Sequence, residues 1–334
     1  MRRKMAGFLV AVFLVSFAGC SQKPENESEA TRRSESVAEE ATALPESTAP
    51  PQPQACTFEV DRYKVSPDAV EYLGDAESEY RTLIDAVCAG EETAAFENAD
   101  RAERAVEVFG ESPYAALAGV TLTEDSFWIA YSGKGDAAQF DDAAKRLVEN
   151  AVYMQSNEVE TAMGLYRELV STYTMEDGED NTLFSAVTEQ CGDAESLAAA
   201  LSFLFNQNGI PSRTASGTVN GEDHAWVIAQ LDDAWLHFDP AGELLKTEGK
   251  GLQCFGMSDE AFAESGGERL YRTGRGAYEQ ETEGLCPAGK FNNAFADVSS
   301  FEIDVYGHFA YLAYDNAEEF QGSISTENFS APVG

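Results

Sequence analysis

The chain has 334 residues, 59 of them Asp or Glu and 22 Lys or Arg, for a formal net charge of −37. This surplus of carboxylates repels phosphate backbones and anionic lipid headgroups, so it argues against nucleic-acid binding and against electrostatic attraction to a membrane. Polypeptides remain as the expected substrates or partners, and the length allows one large or two modest domains behind an N-terminal leader.

Residues 1–19 read as a signal peptide. Arg2, Arg3 and Lys4 form a basic start, and the apolar run from Met5 to Phe17 is shorter than the ~20 residues a spanning helix needs. The run closes on Phe17-Ala18-Gly19-Cys20, which resembles the lipobox of bacterial lipoproteins, with Phe17 where Leu is commoner. That resemblance implies an acylated Cys20 and a lipid anchor facing the extracytoplasmic side. Residues 20–55 are then the lipidated Cys and a disordered tether. Pro24, Pro45, Pro50, Pro51 and Pro53 fall here, no aromatic residue does, and the segment has too little apolar surface to offset its ordering entropy.

Residues 56–156 predict a mainly helical region that packs onto the core C-terminal to it. Ser66-Pro67 is a helix start, and Tyr80, Leu83, Ile84 and Val87 fall on one face of a helix ending near Cys88. Ser126 to Tyr131 reads as a strand, and Val148 and Val152 mark another helix. Residues 157–290 predict the core. Met163, Tyr166, Leu169 and Val170 mark its first helix. The acidic loop Glu176-Asp177-Gly178-Glu179-Asp180 lacks the ligand spacing of an EF-hand and reads as a solvated turn.

The helix-forming run Leu197 to Leu204 stops at Asn208-Gly209-Ile210-Pro211. Counting back from it puts Cys191 at or near a helix N-terminus, where the partial positive charge favours thiolate. Three strands come next, Arg213 to Val219, His224 to Leu231 and Trp235 to Asp239, with turns at Asn220-Gly221 and Asp232-Asp233. The second hairpin brings His224 near Asp239, though not directly opposite. His237 shares a sheet face with Asp239 and competes with His224, but reads as a surface or supporting residue. His308 has no supporting context. Residues 291–334 form an extension with strand-like runs at Ser300 to Tyr306 and Phe309 to Leu312.

The ordered set Cys191, Gly209-Ile210-Pro211, His224-Ala225-Trp226-Val227, Trp235 and Asp239-Pro240 resembles the transglutaminase-like superfamily. The resemblance implies an α+β, papain-like core in which a helix bearing the Cys packs on an antiparallel sheet bearing His and Asp. It also implies catalysis. Cys191 would attack a peptide or Gln side-chain amide and form a thioester, His224 would shuttle the proton, and Asp239 would orient His224, with water or an amine as acceptor. The Cys191 backbone N–H is one oxyanion donor, and Gln190 and Trp128 are candidates for the other. Ala194 stands where many members carry an aromatic residue, and Glu195 where a small one is common. These departures sustain a second reading, a catalytically silent domain that binds a peptide or protein.

With Cys20 assigned to lipid and Cys191 to catalysis, Cys56, Cys88, Cys254 and Cys286 remain, and three pairings are possible. Local bracketing favours Cys56–Cys88 and Cys254–Cys286; the alternative is four buried thiols. There is no Cys-x-x-Cys spacing, and no metal or other cofactor is expected.

Overall fold

The computed structural model describes residues 56–154, 156–176, 178, 180–287, 295–304, 309–315 and 319–323. The predicted signal, Cys20 and the tether lie outside them, as do His308 and parts of the C-terminal extension. Among the described residues no helix is long and apolar enough to cross a membrane.

The N-terminal region opens with helices α1 (Pro67–Leu73) and α2 (Glu77–Ala89). Ser66 caps α1 as its Pro67 predicts, accepting a hydrogen bond from the backbone of Ala69. Next in the chain are β1 (Thr93–Ala95), α3 (Ala99–Phe109), β2 (Ala118–Leu122) and β3 (Ser126–Tyr131), and the strands form a small antiparallel sheet in the order β1-β3-β2. Helix α4 (Ala137–Ala151) completes this region, and α5 (Glu158–Thr172) begins the segment after it. Phe58, Tyr80, Phe140, Tyr166 and Leu201 are buried in one hydrophobic core, so this region does pack onto the segment after it.

In that segment the two-residue strand β4 (Thr174–Met175) runs parallel to β5 (Cys191–Gly192), with α6 (Leu183–Thr188) between them. Helix α7 (Ala194–Gln207) precedes β6 (Ser212–Val219), β7 (Glu222–Leu231) and β8 (Ala234–Phe238). Helices α8 (Pro240–Thr247) and α9 (Asp259–Glu264) and strands β9 (Leu270–Thr273) and β10 (Gln280–Glu283) come next. The five strands form one antiparallel sheet, β10-β9-β6-β7-β8. Its faces divide by the period of two. Ala225, Val227, Ala229 and Leu231 turn into the main core under α7, whereas Trp226 and Ile228 enter a second core with Phe262, Tyr271, Cys254 and Cys286. Strands β11 (Val298–Asp304), β12 (Phe309–Tyr314) and β13 (Glu319–Ser323) form a separate antiparallel sheet.

The expected disulfides are not formed. Cys56, Cys88, Cys191, Cys254 and Cys286 are all free thiols. Cys254 and Cys286 share the second core without a bond between them. The Cys56 backbone bonds Val152, whereas Cys88 stands in the field of Arg62 and Asp141. Burial pushes the thiols of both Cys254 and Cys286 up, so neither is a ready thiolate.

Candidate active site

Helix α7 is the element on which the site is built, and its start is fixed by Asp193. The Asp193 side chain accepts from the Ser196 backbone at 2.8 Å and from the Ser196 hydroxyl at 2.8 Å. Asp is a strong N-cap residue, so Ala194 becomes the first helical residue. The chain ahead of the cap is extended and tightly placed. Gly192 has φ +148°, and a Cβ there would lie 2.4 Å from the Ser196 hydroxyl and 2.6 Å from that of Tyr173. Cys191 therefore lies two residues ahead of the cap, near the helix N-terminus as the sequence predicts, though outside the helix itself. It belongs to β5, paired with Thr174.

The strands supply the other two groups. The chain leaves α7 at Gln207 and turns back through β6, so the start of β7 comes level with the first turn of α7. His224 lies in that start. The register pairs Val227 with Phe238, which leaves His224 and Asp239 diagonal to one another rather than opposite, as the turn positions predict. His224 Nε2 reaches Asp239 Oδ1 at 2.9 Å. The side chains are 13% and 6% exposed, enough shielding for the pair to hold one geometry. The His224 ring stacks over Trp226 with centroids 6.3 Å apart.

Asp239 is held on several sides. It is the N-cap of α8, and Oδ1 accepts from the Gly242 backbone at 2.8 Å. Its backbone N–H donates to Cys254 at 2.9 Å, and its carbonyl accepts from the Tyr166 hydroxyl at 3.2 Å. Glu243, fully buried beside it, accepts from the Cys254 backbone at 2.7 Å and the Thr247 hydroxyl at 2.7 Å, while burial pushes its carboxyl up. No sequence signal singled out Tyr166 or Glu243 as supports of the site; the Asp239-Pro240 helix start was the available clue to Glu243, one turn on.

A cleft of about 1330 Å³ opens beside His224, bounded by the first turn of α7, by β6 and β7, and by the N-terminal half. Asp193, Ala194, Glu195 and Ser196 line it together with His224; Cys191, Gln190 and Trp128 do not. The Gln190 amide instead donates to the Thr172 hydroxyl at 3.1 Å, and Trp128 is half exposed on β3. Burial and then the carboxylates of Glu176 and Glu189 push the Cys191 thiol up, opposite to the direction a helix start would impose. The structure thus joins two of the three expected catalytic residues by a hydrogen bond, and among the described residues no hydrogen bond links the Cys191 thiol to His224.

His237 is not a surface residue. It is fully buried and takes Asp259, not Asp239, as its carboxylate, with Nε2 2.9 Å from Asp259 Oδ1. His237, Asp259 and Cys286 bring one ligand atom each within 4.8 Å of one another, the spacing of a metal site. The hydrogen bonds oppose that use. The Trp226 indole, a donor only, gives its N–H to His237 Nδ1 at 3.0 Å. The neutral ring then carries its proton on Nε2 and donates it to Asp259, so neither nitrogen offers a lone pair to a metal.

Comparison with known proteins points to one family. A family model described as the Transglutaminase-like superfamily matches residues 145–240, from within α4 to the start of α8. No curated protein matches the chain. Among solved structures, a TGase is similar at 14% identity over 37% of this chain and 44% of that one, with a TM-score of 0.30. A candidate cysteine protease from Cytophaga hutchinsonii is similar at 12% identity over 37% of this chain and 61% of that one, with a TM-score of 0.27. The chain thus spans less than two thirds of either structure's length.

Proposed function

With residues 145–240 a transglutaminase-like core, we propose that the chain is a catalytically silent member that uses its cleft to bind polypeptide. One observation carries the reading: among the described residues no hydrogen bond joins the Cys191 thiol to His224, and its charged neighbours are the carboxylates of Glu176 and Glu189. Thiol attack on an amide needs a sulfur within hydrogen-bond reach of the imidazole that takes its proton. Ala194, the first residue of α7, puts a methyl group on the wall of the cleft that His224 also lines. The His224–Asp239 pair persists because Asp239 also caps α8, so its carboxylate has a structural role that does not depend on turnover.

The same proposal includes the setting. Residues 1–19 direct export, Cys20 carries lipid, and residues 20–55 hold the folded part off an extracytoplasmic membrane surface. Replacing Cys20 by Ala should release the protein into the medium or leave it unprocessed; processed protein still in the membrane fraction would refute the anchor.

The activity test offers acyl-donor peptides with and without a primary amine to wild type, Cys191→Ala and Ala194→Cys. Wild type and Cys191→Ala should both leave the peptides intact. The thiol installed by Ala194→Cys should alkylate faster near neutral pH than Cys191, because it stands on the first turn of α7 in the cleft of His224. Peptide turnover by wild type that disappears in Cys191→Ala would restore the enzyme reading, with Cys191, His224 and Asp239 as its triad.

A further inference from the structure

We infer that the cleft selects a cationic polypeptide segment, one that carries Lys or Arg side chains around an apolar residue. This deepens the proposed binding function and rests on it. Three independent features of the cleft point the same way: its charge, its size and its exposed apolar side chains.

Charge comes first. Nine carboxylates line the cleft, and five of them come from four separate parts of the chain around His224: Glu195 on α7, Glu222 and Asp223 on β7, Glu268 before β9, and Glu281 on β10. None of the five has an ion-pair partner among the described residues. The cations of the same walls are Lys64, Arg272 and Arg275, and the two arginines are engaged. Arg272 faces Glu279 at 3.7 Å, and Arg275 donates to the carbonyl of Gly110. A concavity lined by a surplus of one charge raises the local concentration of the opposite charge. A cationic ligand gains from that field, and a neutral or anionic one does not.

Size separates a segment from a small molecule. A cleft of about 1330 Å³ exceeds the ~300–1,000 Å³ of small-molecule pockets. Its carboxylates also come from separated elements, which suits a ligand whose charges are spread along a chain. A lone ammonium or a small diamine could meet only part of them.

Exposed apolar side chains complete the pattern. Leu270 is 51% exposed and Met175 is 38% exposed, and both line this cleft. Large apolar groups left open on the wall of a concave site mark contact with another macromolecule. Set among carboxylates, they fit a segment in which an apolar side chain is flanked by basic ones.

The test measures binding of three peptides of equal length to the full-length chain by fluorescence anisotropy. One peptide alternates Lys with Leu and Ala, the second replaces Lys by Gln, and the third replaces Lys by Glu. The Lys peptide should bind about tenfold or more tighter than the Gln peptide, and the gap should narrow as salt rises to about 0.5 M. The combined variant Glu195→Gln, Glu268→Gln, Glu281→Gln should cost the Lys peptide about fivefold or more. A control that neutralises Glu97, Glu103 and Glu124, none of them on the cleft, should leave affinity unchanged. Equal binding of the Lys and Gln peptides, or equal losses in the cleft variant and the control, overturns the inference. Those outcomes leave the silent-domain reading intact. Conversely, wild-type turnover that depends on Cys191 would end that reading while the charge preference could still be measured.

Discussion

His224 Nε2 and Asp239 Oδ1 lie 2.9 Å apart, and the same Asp239 oxygen accepts the Gly242 backbone N–H at 2.8 Å. One carboxylate oxygen therefore serves the imidazole and the first turn of α8 together. The pair is anchored by a helix cap, so its geometry does not depend on a contact with the thiol.

Removing that carboxylate should be felt in stability. Asp239→Ala deletes an N-cap worth about 0.5–2 kcal/mol and also the partner of His224, so the unfolding free energy should fall by at least that cap energy. His224→Ala should cost less, because it leaves the cap bond intact. Denaturant unfolding of the two variants checks the order; a larger loss in His224→Ala would mean that the pair, not the cap, holds this corner.

Cys191 should titrate as a hindered thiol. Burial and the carboxylates of Glu176 and Glu189 raise its pKa, so less thiolate is present at any given pH than for an ordinary thiol. Its alkylation rate should rise with a midpoint above the usual thiol range. Because the neighbouring charges are part of the cause, Glu176→Gln with Glu189→Gln should move the midpoint down. Alkylation that is complete and fast at neutral pH in wild type would contradict this placement.

The sequence carried the strands, their turns and the His–Asp diagonal, because period-two alternation and the Asn220-Gly221 and Asp232-Asp233 turns are local signals. It did not resolve which residue of the run Cys191-Gly192-Asp193-Ala194 begins the helix. The apolar periodicity that announces α7 fades toward its first turn, so counting back from Leu197 carries an error of a few residues. The signal that could have decided it was Asp193 with Ser196 three positions on, a strong cap preceding the first helical residue. Without that cap the count places the thiol only at or near the helix start. The free state of the cysteines was equally hidden, since local spacing carries no information on where Cys254 and Cys286 sit within the second core. The burial of His237 depended on Asp259 and Trp226, groups 22 and 11 positions away.

The His237 network should ignore metal. With Nδ1 accepting from Trp226 and Nε2 donating to Asp259, added zinc should not raise the unfolding temperature. His237→Ala, by contrast, strands two buried partners and should destabilise by about 2 kcal/mol or more. A zinc-dependent rise in unfolding temperature that vanishes in Cys286→Ser would show instead that the three side chains form a metal site.

The most direct measurement of the central claim is product formation from a broad set of acyl-donor peptides by wild type and Cys191→Ala, side by side, with and without a primary amine. The lack of a hydrogen bond, among the described residues, between the Cys191 thiol and His224 predicts two indistinguishable traces at the level of buffer alone. Turnover by wild type that Cys191→Ala and His224→Ala abolish equally would contradict it, because a thiol and an imidazole that act as one unit must meet.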